Sequence, residues 1–495
     1  MKLFSDTDHT AQLQKGLEYV ILFLVSIVFL LAFSLWTSPF YHFWYGCDAS
    51  FFSMVGRGIT QGLVPYRDFF DLKGPYFFFI EALGQFLHKD RLGVFFIQIP
   101  FLFFSLLLIS RLAGLYLNKK KSAAVLLIFL FVHISTLWGG NTLEEFCLPL
   151  NLLCLYLVAK HLKKDGLPIW KLPKSSAVII GACLGILIFS KITVAAPILG
   201  IIFAIIFLLI LRKKYRELLS FLLFFLLGIL AVSLPVFLYF GYHGAIGEML
   251  YCIFSFAFKR SVDFSENFNI IWEIKLSGCI FAFLFACLHR NSLSDAVRII
   301  LVGMSAATYL LLHLGNPFIY YFTTAYPSLL FALILLLSVY DPLIIFKNCY
   351  QALCLFVLGV CLFYYASCSM DTIRVFLYDR DNPYYSEYYA EAANLATLIP
   401  EWERDRVFCF STDMTWFEAN QIMPCYKYQV NLQFFIALDP QIELDIISYL
   451  ENTPPKWLVV GSSFESDIPN LFALVDQKYE CISSNSTGNL YLLIE

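Results

Sequence analysis

The sequence predicts a polytopic α-helical membrane protein of about eleven spans, carrying an external α/β domain at its C-terminal end. Three observations lead there. The 495 residues are 59% hydrophobic and only 14% charged, whereas a soluble domain is roughly half apolar and a quarter charged. Apolar runs long enough to cross ~30 Å of hydrocarbon recur along most of the chain. Basic residues gather in every second connection between those runs. A mean hydropathy of +0.72 fits this picture, and so do the 52 Phe and 29 Tyr. The net charge of -3 matters less than its distribution, and nothing in that distribution points to a nucleic-acid partner.

The first run, from Leu17 to Trp36, is long enough to span. No small-residue cleavage site follows it, so it reads as a retained anchor rather than a signal peptide. Further runs lie near 92–117, 122–138, 143–161, 176–193, 195–211, 217–241, 270–288, 298–314, 320–340 and 349–367. Between the fifth and sixth spans, "SKITVAAP" has to be a tight turn.

Orientation follows from the lysines and arginines. "NKKK" (118–121), residues 160–174, "RKKYR" (212–216), "HRN" (289–291) and Lys347 fall in alternate connections, which are expected on the cytoplasmic side with the N-terminus. The segment 38–91, "WGGNTLEE" (138–145), "SKIT" (190–193), 242–269 and "LGNPF" (314–318) are then outside. An odd number of spans puts the tail outside as well. The expected division is residues 1–369 for the membrane domain and 370–495 for the external domain.

Residues 38–91 are too long for a simple hairpin. Two helices are predicted within them. One is 48–61, with Asp48 where an N-cap would stand; the other is 75–88, opening on Pro75 at the first helical position. Both patterns are amphipathic enough for the outer membrane surface. Between them "VPYRDFFDLKG" packs Arg67, Asp68, Asp71 and Lys73 into seven positions before Gly74-Pro75, where the glycine would let the backbone turn tightly and the proline start the next helix.

The tail alternates helix and strand patterns. "YYAEAANLATLI" and "ELDIISYLEN" have helical spacing; "RVFCFS", "KWLVVG" and "NLYLLIE" read as strands. It contains no Gly-rich phosphate loop. The fourteen cysteines are scattered singly without zinc-ligand spacing. One pair among Cys409, Cys425 and Cys481 has the option of bridging if the compartment is oxidising.

Each residue with chemical potential has two readings. Asp48 is a general base for a hydroxyl, or a helix cap. Lys73 and Arg67 are fixed cations suited to a phosphate, with Asp71 and Asp68 as partners, or the four form an exposed salt-bridged turn. Glu144 and Glu145 face a polar cavity, or are acids favoured by a helix N-terminus. About 100° apart on a helix, only one of the two points into a given cavity. Tyr320 and Tyr321 stack on a sugar, or belong to an aromatic belt. Lys259 and Arg260 add to a phosphate pocket, or are a solvated pair. Lys191 snorkels to the surface or approaches a lipid's phosphate, and His133 is a hydrogen-bonded core residue.

At these residues the chain resembles bacterial membrane glycosyltransferases of the GT-C fold, the protein-mannosyltransferase-like and aminoarabinose-transferase-like enzymes. Asp48 followed by "GLVPYRDFFDLKGP" (62–75) is similar to their first external loop, which has an acid soon after span one and a Lys-Pro-Pro or His-Pro-Pro further on. "GGNTLEEFCLP" (139–149) resembles their second acidic element. The resemblance implies a catalytic role for Asp48, a lipid-phosphate contact for Lys73, and a second acidic position at Glu144 or Glu145. One proline is replaced here by Gly74. Asp48 is followed by Ala49, where many relatives have a second acid, so a divalent metal is left undetermined.

The resemblance further implies transfer of a sugar from a polyprenyl-phosphate donor to a hydroxyl acceptor, with inversion, at the outer face of a bacterial inner membrane. No other cofactor is required by the sequence. The acceptor (glycan, lipid or protein) is open. A transporter or flippase of lipid-linked sugars is the alternative, as is a polymerase or ligase of lipid-linked glycans. Transport calls for ionisable residues or broken helices near mid-membrane, and the predicted spans are almost free of interior charge.

Overall fold

Helices dominate the chain in the order the apolar runs predict. The computed structural model describes residues 6–41, 46–260, 270–289, 292–315, 318–339, 349–379, 383–410, 414–429, 432–461 and 468–494. Lys347, Arg290, Asn291, Asn316 and Pro317, which entered the reading of the connections, lie outside the described residues.

Among the described residues nine helices are long and apolar enough to cross a membrane, from Gln12–Phe33 to Ala352–Tyr378. With α1 as Asp6–Phe33, α2 as Cys47–Thr60 and α3 as Pro75–Leu87, the next long helices are α4 (Arg91–Ala113), α5 (Lys119–Thr136) and α6 (Leu143–Lys163). They are followed by α7 (Lys174–Ile188), α8 (Ala196–Leu211) and α9 (Tyr215–Tyr242). The two expected spans outside the nine are α5 and α7. The first opens on three lysines, and the second has 15 residues.

By packing, the chain divides into two units. The first draws on Met1–Ser34, Phe95–Val236 and Ser261–Leu377 and holds most of the long apolar helices. Local sequence sets its helix starts. The Asn118 side chain accepts from Lys121 N–H at 3.0 Å ahead of α5, and Ser294 caps Asp295–Leu312. A Cβ on Gly200 of α8 would lie 2.2 Å from the Gly303 carbonyl oxygen. Two glycines thus let α8 and Asp295–Leu312 pack backbone to backbone, the small-residue contact that apolar helices use where lipid supplies no hydrophobic drive. His133 is the core residue expected: it is buried, 3.1 Å from the Thr136 hydroxyl and stacked against Phe129.

The second unit joins Leu35–Val94, Phe237–Arg260 and Tyr378–Glu495. Its tail carries a four-stranded sheet in the order β1-β2-β4-β3, from Val407–Phe410, Trp457–Val460, Tyr479–Asn485 and Gly488–Leu493 as β1 to β4. β1 and β2 pair in parallel, and the other pairs are antiparallel. Three strands and the helices Pro383–Thr397 and Gln441–Asn452 stand where the sequence put them. β3 was missed because "YECISSN" is mostly exposed at the sheet edge and lacks an apolar alternation. Among the described residues Cys409, Cys425 and Cys481 form no disulfide with one another.

The two expected helices of residues 38–91 are present as α2 and α3, with Pro75 starting α3. Two details differ. Gly46 is the N-cap of α2, and Asp48 sits inside the first turn without capping it. α2 is also no half-wet surface helix, for Ala49 to Gly58 are all buried. The periodicity was read correctly, but its polar stripe faces protein. Ser50, Ser53 and Arg57 lie on one helix face. The Ser50 and Thr415 hydroxyls are 3.2 Å apart. Ser53 donates to Glu418 Oε1 at 3.0 Å, and Arg57 pairs with Glu418 Oε2. Beside that stripe, Gly56 lets α3 approach, since a Cβ there would lie 2.7 Å from the Glu81 carbonyl carbon, and Gln85 of α3 donates to Ser53 at 2.8 Å.

Arg57 is 7% and Glu418 1% exposed. Removing one partner of such a pair strands a buried charge and costs roughly 3–5 kcal/mol. Glu418→Gln is therefore expected to lower the unfolding midpoint of the second unit sharply. Arg57→Met combined with Glu418→Met should recover most of that loss. Equal damage from the single and double variants would show that the pair holds nothing together.

Candidate functional site

The connector between α2 and α3 is a closed, internally bonded loop. Tyr66 has a φ of 69°, a left-handed conformation that is unusual for a bulky side chain and has to be held by its surroundings. Two hydrogen bonds and ring packing hold it. Tyr66 N–H donates to the Phe69 carbonyl at 2.8 Å, Tyr66 Oη donates to the Lys73 carbonyl at 2.8 Å, and its ring is buried beside Phe78 and Phe240. Asp68 fastens the start of the loop by accepting from Val64 N–H at 2.7 Å. Gly74 is not the hinge the sequence suggested. Its φ of -80° and ψ of 163° are extended, so a proline would fit there, and the positive-φ positions are Gly62 and Tyr66.

This loop fixes Lys73. Its N–H donates to Asp71 Oδ1 at 2.7 Å, its Nζ lies 3.5 Å from Asp71 Oδ2, and the ammonium sits 4.6 Å from the centre of the Phe52 ring. Burial raises the Asp71 pKa and the Asp48 charge raises it further, against the opposing pull of Lys73. Asp48 and Lys73 therefore both act electrostatically on Asp71. Asp48 is partly exposed and has no hydrogen bond or ion pair among the described residues. Arg67 turns elsewhere: its guanidinium grips the neighbouring Asp68 at 2.8 and 3.1 Å and is 43% exposed. Among the described residues no three His, Cys, Asp or Glu side chains converge as metal ligands.

Glu144, Glu145, Tyr320 and Tyr321 belong to the first unit. Both glutamates are buried in the first turn of α6, and they point to different partners, as their helical offset requires. Glu144 Oε1 accepts from Lys191 Nζ at 2.7 Å. Glu145 Oε1 accepts from Gln98 Nε2 at 2.7 Å, and Gln98 also meets Ser34. Lys191 Nζ lies 3.4 Å from the centre of the Tyr321 ring. Tyr320 packs against Tyr321 and Trp138.

Sequence reasoning missed several of these residues. Gln98 was legible in principle, because a polar residue inside an apolar run needs a partner. Lys191 was read as snorkelling, whereas it neutralises Glu144. Glu418 and Tyr66 gave no local signal. Lys259 is bound to Asp439 at 2.6 Å, and the Arg260 side chain lies outside the described residues.

The raised Asp71 pKa sets a sign for pH dependence. Its ordinary value is 3.8. Below that value the carboxyl is protonated folded or unfolded, and the buried charge costs nothing. As pH rises from 3.8 through the folded pKa, the unfolded chain releases its proton first, so the folded state loses stability. The unfolding midpoint of the wild type is expected to fall relative to Asp71→Asn across that window and to run parallel above it. A difference independent of pH would contradict this placement of Asp71.

No known sequence family matches the chain, and no curated protein matches it by sequence. Solved structures do. ArnT from Cupriavidus metallidurans bound to undecaprenyl phosphate superposes with a TM-score of 0.61 at 14% identity, over 96% of this chain and 98% of that one. Its apo state gives 0.61 at 13% identity, with the same coverage. The Archaeoglobus fulgidus oligosaccharyltransferase in complex with Zn and sulfate gives 0.52 at 14% identity, over 96% of this chain and 73% of that one. At such identities the likeness is one of fold, and the chain is a multi-pass helical membrane protein with the GT-C fold.

Proposed function

We propose that the protein is a membrane glycosyltransferase. It takes a sugar from a polyprenyl-phosphate donor and transfers it, with inversion, to a hydroxyl acceptor on the outer face of a bacterial inner membrane. The N-terminus is then cytoplasmic and the tail external. The observation that carries this reading is the pairing of Asp48, without a partner among the described residues, with a lysine fixed on the neighbouring loop, on the fold of ArnT bound to undecaprenyl phosphate.

Asp48 takes the proton of the acceptor hydroxyl. The oxygen attacks the anomeric carbon from the face opposite the phosphate, and the C–O bond to the phosphate breaks with its electron pair. The departing polyprenyl phosphate gains charge as that happens, and Lys73, already positioned by Asp71 and Phe52, meets it without reorganising. Arg67 is the second cation of the loop, and its pairing with Asp68 places it at the rim. Glu144, Glu145, Tyr320 and Tyr321 are assigned to substrate binding on the first unit, with Lys191 holding Glu144 in place.

Transfer from a panel of polyprenyl-phosphate sugars, followed in proteoliposomes, tests the roles. Asp48→Asn is expected to cut turnover by about 10²–10⁴-fold while polyprenyl phosphate still binds. Lys73→Ala is expected to lower both turnover and the affinity for polyprenyl phosphate. Undiminished transfer by Asp48→Asn would remove it as the base.

A further inference from the structure

The second unit contains a cavity of about 340 Å³, within the roughly 300–1,000 Å³ typical of small-molecule sites. We propose that it is a saccharide-binding site holding a sugar-bearing end of the acceptor. The word acceptor rests on the glycosyltransferase reading; the binding itself does not.

One wall is aromatic. Phe70, from the connector, is held between Tyr428 and Phe256, each with its ring centre 5.0 Å away, and Tyr251 stands 6.4 Å from it. The lining also carries the carboxylates of Glu248, Asp439 and Asp445. Two of these are held in fixed orientation. Asp439 Oδ2 accepts from Tyr251 and Lys259, and Asp445 accepts from Tyr428 at 3.1 Å and Gln441 at 3.0 Å. An ionised carboxylate has about four acceptor positions, so each keeps capacity for a ligand. Glu248 is exposed and has no hydrogen bond or ion pair among the described residues.

Aromatic side chains beside pre-oriented acceptors suit a pyranose, which has an apolar C–H face and a rim of hydroxyl donors. The charge disfavours an anionic occupant: three carboxylates are set against Lys427 on the lining and against Lys259, which pairs with Asp439, leaving a negative excess that opposes a phosphate or a uronate. They do not converge as ligands of a metal ion. The cavity also touches the catalytic loop: Tyr66 lines it, and the same side chain donates to the Lys73 carbonyl. A saccharide there is one residue away from the lysine that meets the donor phosphate.

The test is saturation-transfer NMR on the full chain in nanodiscs without donor, with neutral mono- and disaccharides and one sugar phosphate as probes. Neutral saccharides are expected to bind. Glu248→Gln, which breaks no internal bond, and Gln441→Ala should each weaken binding by about tenfold, the loss of one hydrogen bond to a polar or charged group. Asp48→Asn should bind as the wild type does. The site is overturned if no neutral saccharide binds, if neither Glu248→Gln nor Gln441→Ala weakens binding, or if the sugar phosphate binds better. Absent saccharide binding alongside intact transfer from a polyprenyl-phosphate donor removes this site and leaves the proposed activity; intact binding without transfer does the reverse.

Discussion

The buried ion pair between Arg57 and Glu418 is the constraint on which the second unit depends. It pins α2 to the helix Thr415–Ala419 along a polar stripe that includes Ser50 and Ser53. Beside that stripe α2 takes α3 at Gly56, with Gln85 of α3 donating to Ser53, and the connector is clamped between the two helix ends. Asp48 rides on the first turn of the pinned helix. In the proposed reaction this carboxylate meets a hydroxyl within hydrogen-bond reach and needs a rigid mount, and a desolvated ion pair about two and a half turns along the same helix supplies one.

The two units use their lysines in a common way. Lys73 lies over Phe52 and beside buried Asp71; Lys191 lies over Tyr321 and beside buried Glu144. A ring and a carboxylate together let an ammonium sit at the edge of an apolar region at modest desolvation cost. The separations differ, at 3.5 Å for Lys73 and 2.7 Å for Lys191. The looser pair leaves more of its cation available to an incoming anion, and the tighter one is closer to a self-neutralised strut.

The helices of the first unit were readable because lipid imposes one simple rule, a long apolar run, and the starts of α5 and of Asp295–Leu312 carry ordinary caps. α2 and α3 were readable as helices for the same local reason. Their environment was not. A stripe such as Ser50, Ser53 and Arg57 looks identical whether it faces water or a distant acid, and Glu418 stands 361 residues away in the chain. The site shows the same divide. Asp48 and Lys73 stood out because charge is scarce in this sequence. The part played by Tyr66 rests on a backbone angle and a phenol-to-carbonyl bond, and neither leaves a mark in a single sequence. Gly74 misled because glycine in sequence suggests a left-handed turn, while its backbone there is one any residue adopts.

The second unit is assembled from three separate stretches of chain, and this has a consequence in time. Residues 35–94 leave the ribosome long before residues 378–495 exist. At about 5–20 residues per second, the 361 residues between Arg57 and Glu418 take roughly 20–70 s to synthesise. Throughout that interval α2 has its cation and its small polar stripe without their counterpart, while the spans between are inserted. The fold therefore requires a first loop that can wait, half-made and soluble at the membrane, until the last helix has been threaded and the tail arrives to close it.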